Sequence, residues 1–339
     1  MKSSTVLARA FACVAALASL NILAAPSQAQ QQLLVADRLS NSVYRYSTSG
    51  ALLGTVLTDN VNLLGPSGLT LSPDQTKIFV TSTGNSQVVQ YDYNVATGLA
   101  TNGSVFADGS DGIAFPSSVK FSQDGSKIYV SNLGGTGVAQ FNPDGSSAGA
   151  AINGLIGGGA YFQYSGLEYA PNGELLVGAF QNAPAANAGA VAKSNLPITG
   201  ISDFINGSTS LNGASGLLVN GNDLYVTAMF AGTISRYNAT TGVIDPTFGV
   251  TGLASPQGLV ASLDGNGFLV GNLGVSNGSG NISRYAFDGT LIGTFASAGA
   301  GGFSEPTGFA TVTIPEPATL GMLTVAVAAL GLTVRRRMA

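Results

Sequence analysis

The chain has 339 residues, of which 45% are hydrophobic and only 9% are charged, and its formal net charge is −4. It contains no histidine, which excludes an imidazole general base, a Ser-His-Asp triad and an imidazole metal ligand. The 47 glycines and the scarcity of ionic groups favour a turn-rich β protein.

The N-terminal segment has the features of a secretory signal peptide. Lys2 and Arg9 supply positive charge, residues 10–25 are mostly apolar, and Ser27-Gln28-Ala29 places small residues where a signal peptidase reads them. We therefore predict that residues 1–29 are a signal peptide cut after Ala29, and that the protein is exported. The only cysteine, Cys13, lies in this segment, so the mature protein would contain no disulfide.

The charge of the middle of the chain argues against a nucleic-acid partner. Five of the 13 basic residues and one of the 17 acidic residues lie in the two ends, which leaves 8 basic and 16 acidic residues in residues 30–313. Nucleic-acid binding requires a clustered basic surface. The predicted domain is instead acidic.

Three short patterns recur six times each in a fixed order. The first is a small-Gly-apolar step, the second an apolar strand centred on valine, and the third a strand that mostly ends in an aromatic residue. The first pattern occupies residues 66–69, 116–119, 164–167, 214–217, 256–259 and 306–309, and its glycine position advances by 50, 48, 50, 42 and 50 residues. This period is typical of four-stranded propeller blades. Turn residues such as Asp124-Gly125 separate the patterns.

The order of the patterns predicts how the ring closes. The mature chain would begin with the second strand of a unit, at Leu33, and end with the first strand of a unit, at residues 305–312. Joined together, residues 305–312 and 33–57 complete one blade and leave the ring without an open edge. We therefore predict an all-β fold, a six-bladed β-propeller over residues 30–313, with four strands in each blade.

The first unit resembles the NHL repeat. The resemblance rests on Leu34-Val35-Ala36-Asp37, on Asn41 to Tyr46 and on Gly50, and it is weaker in the later units. The position of Asp37 is taken in those units by Ser82, Asn132, Ala179, Ala228 and Asn272. A polar residue at the end of a buried strand can satisfy loop amides, so this column is interpreted as structural. Streptogramin lyases share the NHL-like fold, but their chemistry uses a histidine, which this chain lacks.

Gluconolactonase-type propellers provide an enzymatic alternative. The resemblance implies a divalent metal such as calcium, held in the central channel by carboxylate and amide oxygens. Asp37, Asn132 and Asn272 would then face one mouth of the channel, and Glu168 would be a fourth donor. The Glu-Gly-Pro start of that family is missing from this sequence.

The C-terminal residues 314–339 have the form of a sorting signal. Pro315-Glu316-Pro317 precedes 17 uncharged residues from Ala318 to Val334, which as a helix would rise about 26 Å and just span a bilayer. Arg335, Arg336 and Arg337 follow and would stay on the cytoplasmic side.

These three elements, in this order, resemble the PEP-CTERM signal of Gram-negative bacteria. The resemblance implies recognition by an exosortase, which removes the helix. It also implies an inner-membrane intermediate that is passed on to the cell surface or extracellular matrix.

Two functions of different classes remain. The first is a non-catalytic surface propeller without a cofactor, which binds exopolysaccharide or a matrix protein in a biofilm. The second is a metal-dependent hydrolase of a sugar lactone. The sequence favours the first, because the column that would hold the metal varies among Asp, Ser, Asn and Ala.

Overall fold

The computed structural model describes residues 30–135, 137–153, 163–181, 189–206, 209–276, 278–299 and 302–314. The predicted signal peptide with its cut after Ala29 lies outside these residues, and so does the predicted sorting tail with Pro315, Glu316, Pro317, Arg335, Arg336 and Arg337. No helix among the described residues is long and apolar enough to cross a bilayer.

The described residues form six sheets, which are the blades of a β-propeller. Blade 1 contains, in spatial order, β22 (Pro306–Ile314), β1 (Gln30–Asp37), β2 (Ser42–Tyr46) and β3 (Leu52–Thr58). Blade 2 contains β4 (Pro66–Leu71), β5 (Lys77–Ser82), β6 (Gln87–Asn94) and β7 (Leu99–Ala107). Blade 3 contains β8 (Pro116–Phe121), β9 (Ile128–Asn132) and β10 (Val138–Phe141).

The remaining three blades follow in chain order. Blade 4 contains β11 (Gln163–Tyr169), β12 (Leu175–Phe180), β13 (Gly189–Ser194) and β14 (Ile201–Ile205). Blade 5 contains β15 (Ala214–Asn220), β16 (Asp223–Ala228) and β17 (Thr233–Asn238). Blade 6 contains β18 (Pro256–Ala261), β19 (Gly267–Asn272), β20 (Asn281–Ala286) and β21 (Leu291–Ser297). The prediction of six blades is confirmed.

The prediction of four strands in every blade is wrong for blades 3 and 5. Their outer positions carry isolated bridges, such as Val138 to Ile152 and Ile234 to Val250, in place of a continuous strand. In blade 5 the segment contains Pro246, which has no N–H to donate to a ladder. In blade 3 the corresponding segment is rich in Gly, Ser and Ala, which have low strand propensity.

The cores of the propeller lie between neighbouring blades. The valine-centred second strands are buried along nearly their whole length because another blade covers each of their faces. Between blades 6 and 1, for example, Leu33, Val35 and Tyr46 pack with Leu269 and Ile282. The outer strands β3 and β21 are partly exposed.

The glycine of the first pattern marks the closest approach of adjacent blades. A Cβ on Gly68 would lie 2.6 Å from the carbonyl oxygen of Ser117, and one on Gly258 would lie 2.5 Å from that of Thr307. The same contact recurs at Gly166 and Gly216, and Gly308 of β22 faces the carbonyl of Ser67 in blade 2; blade 3 holds Ser118 at this position. The first strands therefore form a closed ring.

The two ends of the domain share blade 1, as the sequence predicts. β22 is hydrogen-bonded beside β1, and the Thr307 hydroxyl donates to the carbonyl oxygens of Ala36 (3.2 Å) and Pro66 (2.9 Å). This hydroxyl joins β1 to β4 of the next blade. The closing strand is thus bonded on both of its sides.

Candidate functional site

A central channel runs between the six first strands. Its cavity measures about 350 Å³ and is lined by residues of β4, β8, β11, β15, β18 and β22. Closure of the ring creates this space, because each first strand contributes one wall. Its volume lies in the range of about 300 to 1,000 Å³ that is usual for small-molecule sites.

A register shift near the start of five first strands shapes the narrow entrance of the channel. We call this entrance the neck. In blade 2, Pro66 pairs with Ser82 and Leu69 pairs with Val80, so two residues of β4 lie opposite Thr81. The same shift occurs in blades 3 to 6. Bulges of this kind re-aim side chains. Here the residues at the shift line the cavities.

Small hydroxyl side chains dominate the neck. Ser67, Ser117, Ser215 and Gln257 line both the channel and the cavity above it. The hydroxyls of Ser67, Ser117 and Ser215 make no hydrogen bond to another described residue of the protein. By contrast, the hydroxyl of Ser165, at the equivalent position in blade 4, donates to the carbonyl oxygen of Ala214 at 2.6 Å.

One ion pair faces the channel below the neck. The Lys120 ammonium of β8 lies 2.9 Å from Oε1 of Glu168 on β11, and both side chains are partly exposed to the cavity. The corresponding positions in the other four blades hold Thr70, Leu218, Val260 and Ala310. Lys120 and Glu168 are the charged residues of the channel wall.

A second cavity of about 460 Å³, the vestibule, opens above the neck. Its wall comes from the ends of the second strands, the loops that follow them and the segment before β4, and it includes the apolar side chains of Leu39, Leu64, Leu133, Phe180 and Met229. Leu39 and Leu64 are exposed, so the apolar lining continues onto the rim. The vestibule therefore joins an apolar entrance to a polar neck.

Asp37 and Asn132 satisfy the loops that enter their own blades. The buried carboxylate of Asp37 accepts the backbone N–H groups of Ser40 (3.1 Å), Ser304 (2.9 Å) and Glu305. Oδ1 of Asn132 accepts the N–H of Ala114 at 3.0 Å. Neither side chain lines the channel or the vestibule.

Asn272 is buried and bonded within its own blade. Its amide nitrogen donates to Oδ1 of Asn281 (2.8 Å) and to the hydroxyl of Ser283 (3.2 Å), while its Oδ1 has no hydrogen-bond partner. The four predicted metal ligands are therefore not one donor set: Glu168 reaches the channel, and the other three face blade loops and strands. Among the described residues, no three Asp, Glu, Cys or His side chains cluster to hold a metal.

The sequence motifs did not identify Lys120 or the neck serines as site residues. The repeat itself contained the signal, because Lys120 and Glu168 both stand two residues after the glycine position of the first pattern. Alignment of the six first strands alone would have placed both side chains at one level of the channel.

Comparisons with known proteins agree with the propeller fold. Residues 25–151, less than half of the chain, match the SMP-30/gluconolactonase/LRE-like region. No match was found among curated proteins.

Three solved structures illustrate the similarity. A chain of a nidogen/laminin complex has a TM-score of 0.61 and 11% identity, with coverage of 83% of this chain and 98% of that chain. The periplasmic gluconolactonase of Pseudomonas aeruginosa has a TM-score of 0.58 and 15% identity, with coverage of 84% and 99%. A putative 6-phosphogluconolactonase of Bacteroides fragilis has a TM-score of 0.58 and 13% identity, with coverage of 85% and 99%. At these identities the likeness shows the fold alone.

Proposed function

We propose that this chain is an exported, non-catalytic propeller, sorted to the cell surface or extracellular matrix of a Gram-negative bacterium, that binds exopolysaccharide through its vestibule. The observation that carries the proposal is the combination of apolar walls and unpaired hydroxyls around one open cavity. Sugars present apolar C–H faces and hydroxyl groups together, and such a surface complements both. The polar column that would have bound a metal serves the blade loops instead.

Phe115 lies outside the vestibule lining, but it occupies the position equivalent to Gly65 of the vestibule wall and supports a binding role for this end of the propeller. It precedes β8, is 54% exposed and has a φ of 49°; the equivalent positions before β4, β15 and β18 also have positive φ but hold the small residues Gly65, Gly213 and Ser255. A bulky residue in this conformation costs about 1 kcal/mol or more, and such strain is concentrated at functional sites. An exposed aromatic ring at this position gains nothing from the core. Its benefit would come from a ligand.

Binding can be tested by the retention of the protein in the extracellular matrix. The wild-type protein should sediment with polysaccharide-rich matrix, and Phe115→Gly should weaken retention by roughly tenfold while leaving stability unchanged or raised, because the strain is relieved. Val243→Gly, which removes an exposed apolar side chain outside the vestibule, should retain normal binding. Equal retention of the two variants would contradict the role of the vestibule.

The sorting part of the proposal rests on the two ends of the sequence. Signal peptidase would cut after Ala29, and an exosortase would cut near Pro315 to Pro317 after transient membrane anchoring. β22 ends at Ile314, directly before this motif, so processing there would cost the ring no strand. Intact-mass analysis of surface protein should show loss of the tail. Recovery of Arg335 to Arg337 in that form would refute the proposal.

The alternative function is a sugar-lactone hydrolase, and two observations favour it. Residues 25–151 match the gluconolactonase-like region, and Glu168 faces the channel. However, Asp37, Asn132, Asn272 and Glu168 do not fit one divalent metal such as calcium, since Glu168 pairs with Lys120 and the others bond within blades. We expect no lactone hydrolysis above background with calcium, magnesium, manganese or zinc. Metal-dependent turnover that disappears in Asp37→Ala would favour the hydrolase.

A further inference from the structure

We infer that the channel binds the end of a neutral glycan, one sugar residue deep, with the Lys120–Glu168 pair as the floor of the site. This inference rests on the proposed function and extends its binding site from the vestibule into the channel below the neck. It predicts recognition of chain ends rather than of the middle of a polysaccharide.

The floor is polar but carries no net charge. Lys120 and Glu168 neutralise each other at 2.9 Å, and both remain partly exposed to the cavity, with 31% and 21% of their side chains accessible. An ammonium donates hydrogen bonds and a carboxylate accepts them, so neighbouring sugar hydroxyls can satisfy both groups. A charged ligand would leave one of the two partners uncompensated. The pair therefore favours a neutral hydroxyl-bearing ligand.

The strand register does not require the pair, although Oε1 of Glu168 also accepts the backbone N–H of Tyr169 at 2.9 Å. The position of the pair holds Thr70, Leu218 and Val260 in three other blades, and these blades have the same strand register. Removing two charges from water is costly, and a partly buried ion pair is often no more stabilising than apolar residues of similar size. A function in the cavity explains why the charges are present at this level.

The neck and the vestibule fix the depth of binding. The unpaired hydroxyls of Ser67, Ser117 and Ser215, together with Gln257, surround the entrance to the channel. These groups can bond the edges of one sugar ring as it passes. The apolar wall of Leu39, Leu64 and Phe180 then meets the face of the next sugar. Because the channel lies along the ring axis and is enclosed by six strands, only a chain end can enter it.

The inference can be tested with free neutral hexoses. The full chain in mild detergent, in a Cys13→Ser background, would be titrated with D-glucose, D-galactose and D-mannose, with saturation-transfer NMR as the measurement. At least one hexose should bind, and Glu168→Gln should weaken its binding tenfold or more. The matched control is Glu174→Gln, which breaks an ion pair with Lys193 in the same blade but outside both cavities. It should bind as the wild type does.

A double variant keeps the test independent of folding. Lys120→Met with Glu168→Leu removes both charges, and it places apolar side chains where blades 5 and 6 already have Leu218 and Val260. It should melt like the wild type and lose hexose binding. If no hexose binds the wild type, or if Glu168→Gln and Glu174→Gln behave alike, the inference is overturned.

A competition experiment separates this inference from the proposed function. The hexose that binds should also displace the wild-type protein from matrix. Matrix retention that no hexose displaces would leave the proposed function standing and refute the end-binding site. Hexose binding without matrix retention would refute the proposed function instead.

Discussion

Asp37 binds together the two ends of the propeller domain. It lies in β1, yet its carboxylate accepts backbone N–H groups from Ser304 and Glu305, which lead into β22. Ser82 and Asn132 make the equivalent bond to Leu64 and Ala114 in their own blades. The role of this position is therefore the same in blades 1, 2 and 3, which differ in side chain, whereas Asn272 of blade 6 bonds Asn281 and Ser283 instead. Among these three blades, only in blade 1 does the bond join distant parts of the chain.

We predict that Asp37→Ala lowers the free energy of unfolding by about 3 kcal/mol, because buried N–H groups lose their acceptor. Urea unfolding followed by circular dichroism would measure the loss. Asp288→Ala, the same substitution in an exposed turn, should shift the midpoint much less. A small effect of Asp37→Ala on stability together with a large effect on a metal-dependent activity would contradict the structural role.

The sequence predicted the structural role of Asp37 but not the position of Lys120. A polar residue at the end of a buried apolar strand has few options other than the neighbouring loop amides, so its role follows from local pattern. The pairing of Lys120 with Glu168 depends on which side of a bulged strand faces the ring axis. That direction is set by the neighbouring blades and is not contained in any one repeat.

At the scale of the strand, the glycine of the first pattern allows adjacent blades to approach closely, because it has no Cβ atom. Gly166 faces the carbonyl oxygen of Ser215, and a Cβ there would overlap this backbone atom. Second-strand hydroxyls reinforce the junction: Thr227 accepts the N–H of Gly216 at 2.6 Å and donates to the carbonyl oxygen of Gln257 at 3.1 Å. Adjacent first strands are thus linked by packing and by hydrogen bonds.

We predict that Gly166→Ala destabilises the propeller by about 1 to 3 kcal/mol, because overpacking moves the backbone of the next blade. Gly249→Ala is the control, since no atom lies within 4 Å of the position of its Cβ and its φ is not in the left-handed region. Thermal melts of the two variants would give the comparison. Equal melting temperatures would mean that the contact between first strands tolerates a methyl group.

The aspartates in the hairpin turns between first and second strands should make the stability of the fold depend on pH in the acidic range. Hydrogen bonds from Ser122, and then from Ser126, lower the pKa of Asp124 to about 2, and a bond from Ser262 contributes most to lowering the pKa of Asp264 to about 2. Bonds from Ser72 and Thr76 lower the pKa of Asp74. Since these pKa values are lower in the folded state, the stabilisation is present above about pH 4 and is lost as the pH falls towards 2.

The triple variant Asp74→Asn, Asp124→Asn and Asp264→Asn should be less stable than the wild type at pH 7. Its melting temperature should fall less than that of the wild type between pH 5 and pH 2, because the three groups no longer titrate. Calorimetry across this range is the measurement. Parallel curves for the two proteins would show that other carboxylates dominate acid unfolding.

At the scale of the whole molecule, the phase of the repeat predicted closure, because complementary ends are needed only when first and last strands share a blade. The phase of the repeat could not predict whether the outer strand of each blade is continuous. In blades 3 and 5 the outer segments make isolated bridges, and local composition there outweighs the repeat. The six inner strands are all continuous, and each one forms part of the channel wall.

Closure makes a final prediction about where the chain can be shortened. Truncation after Ile314 keeps all 22 described strands, whereas truncation after Ser304 removes β22, a wall of the channel and the partner of β1. The first protein should remain monodisperse and unfold cooperatively. The second should expose the edge of β1 together with the apolar surface that Phe309 and Val312 cover, and should aggregate. Size-exclusion chromatography with light scattering would distinguish the two outcomes. A folded, monodisperse protein that ends at Ser304 would show that the ring does not need its closing strand.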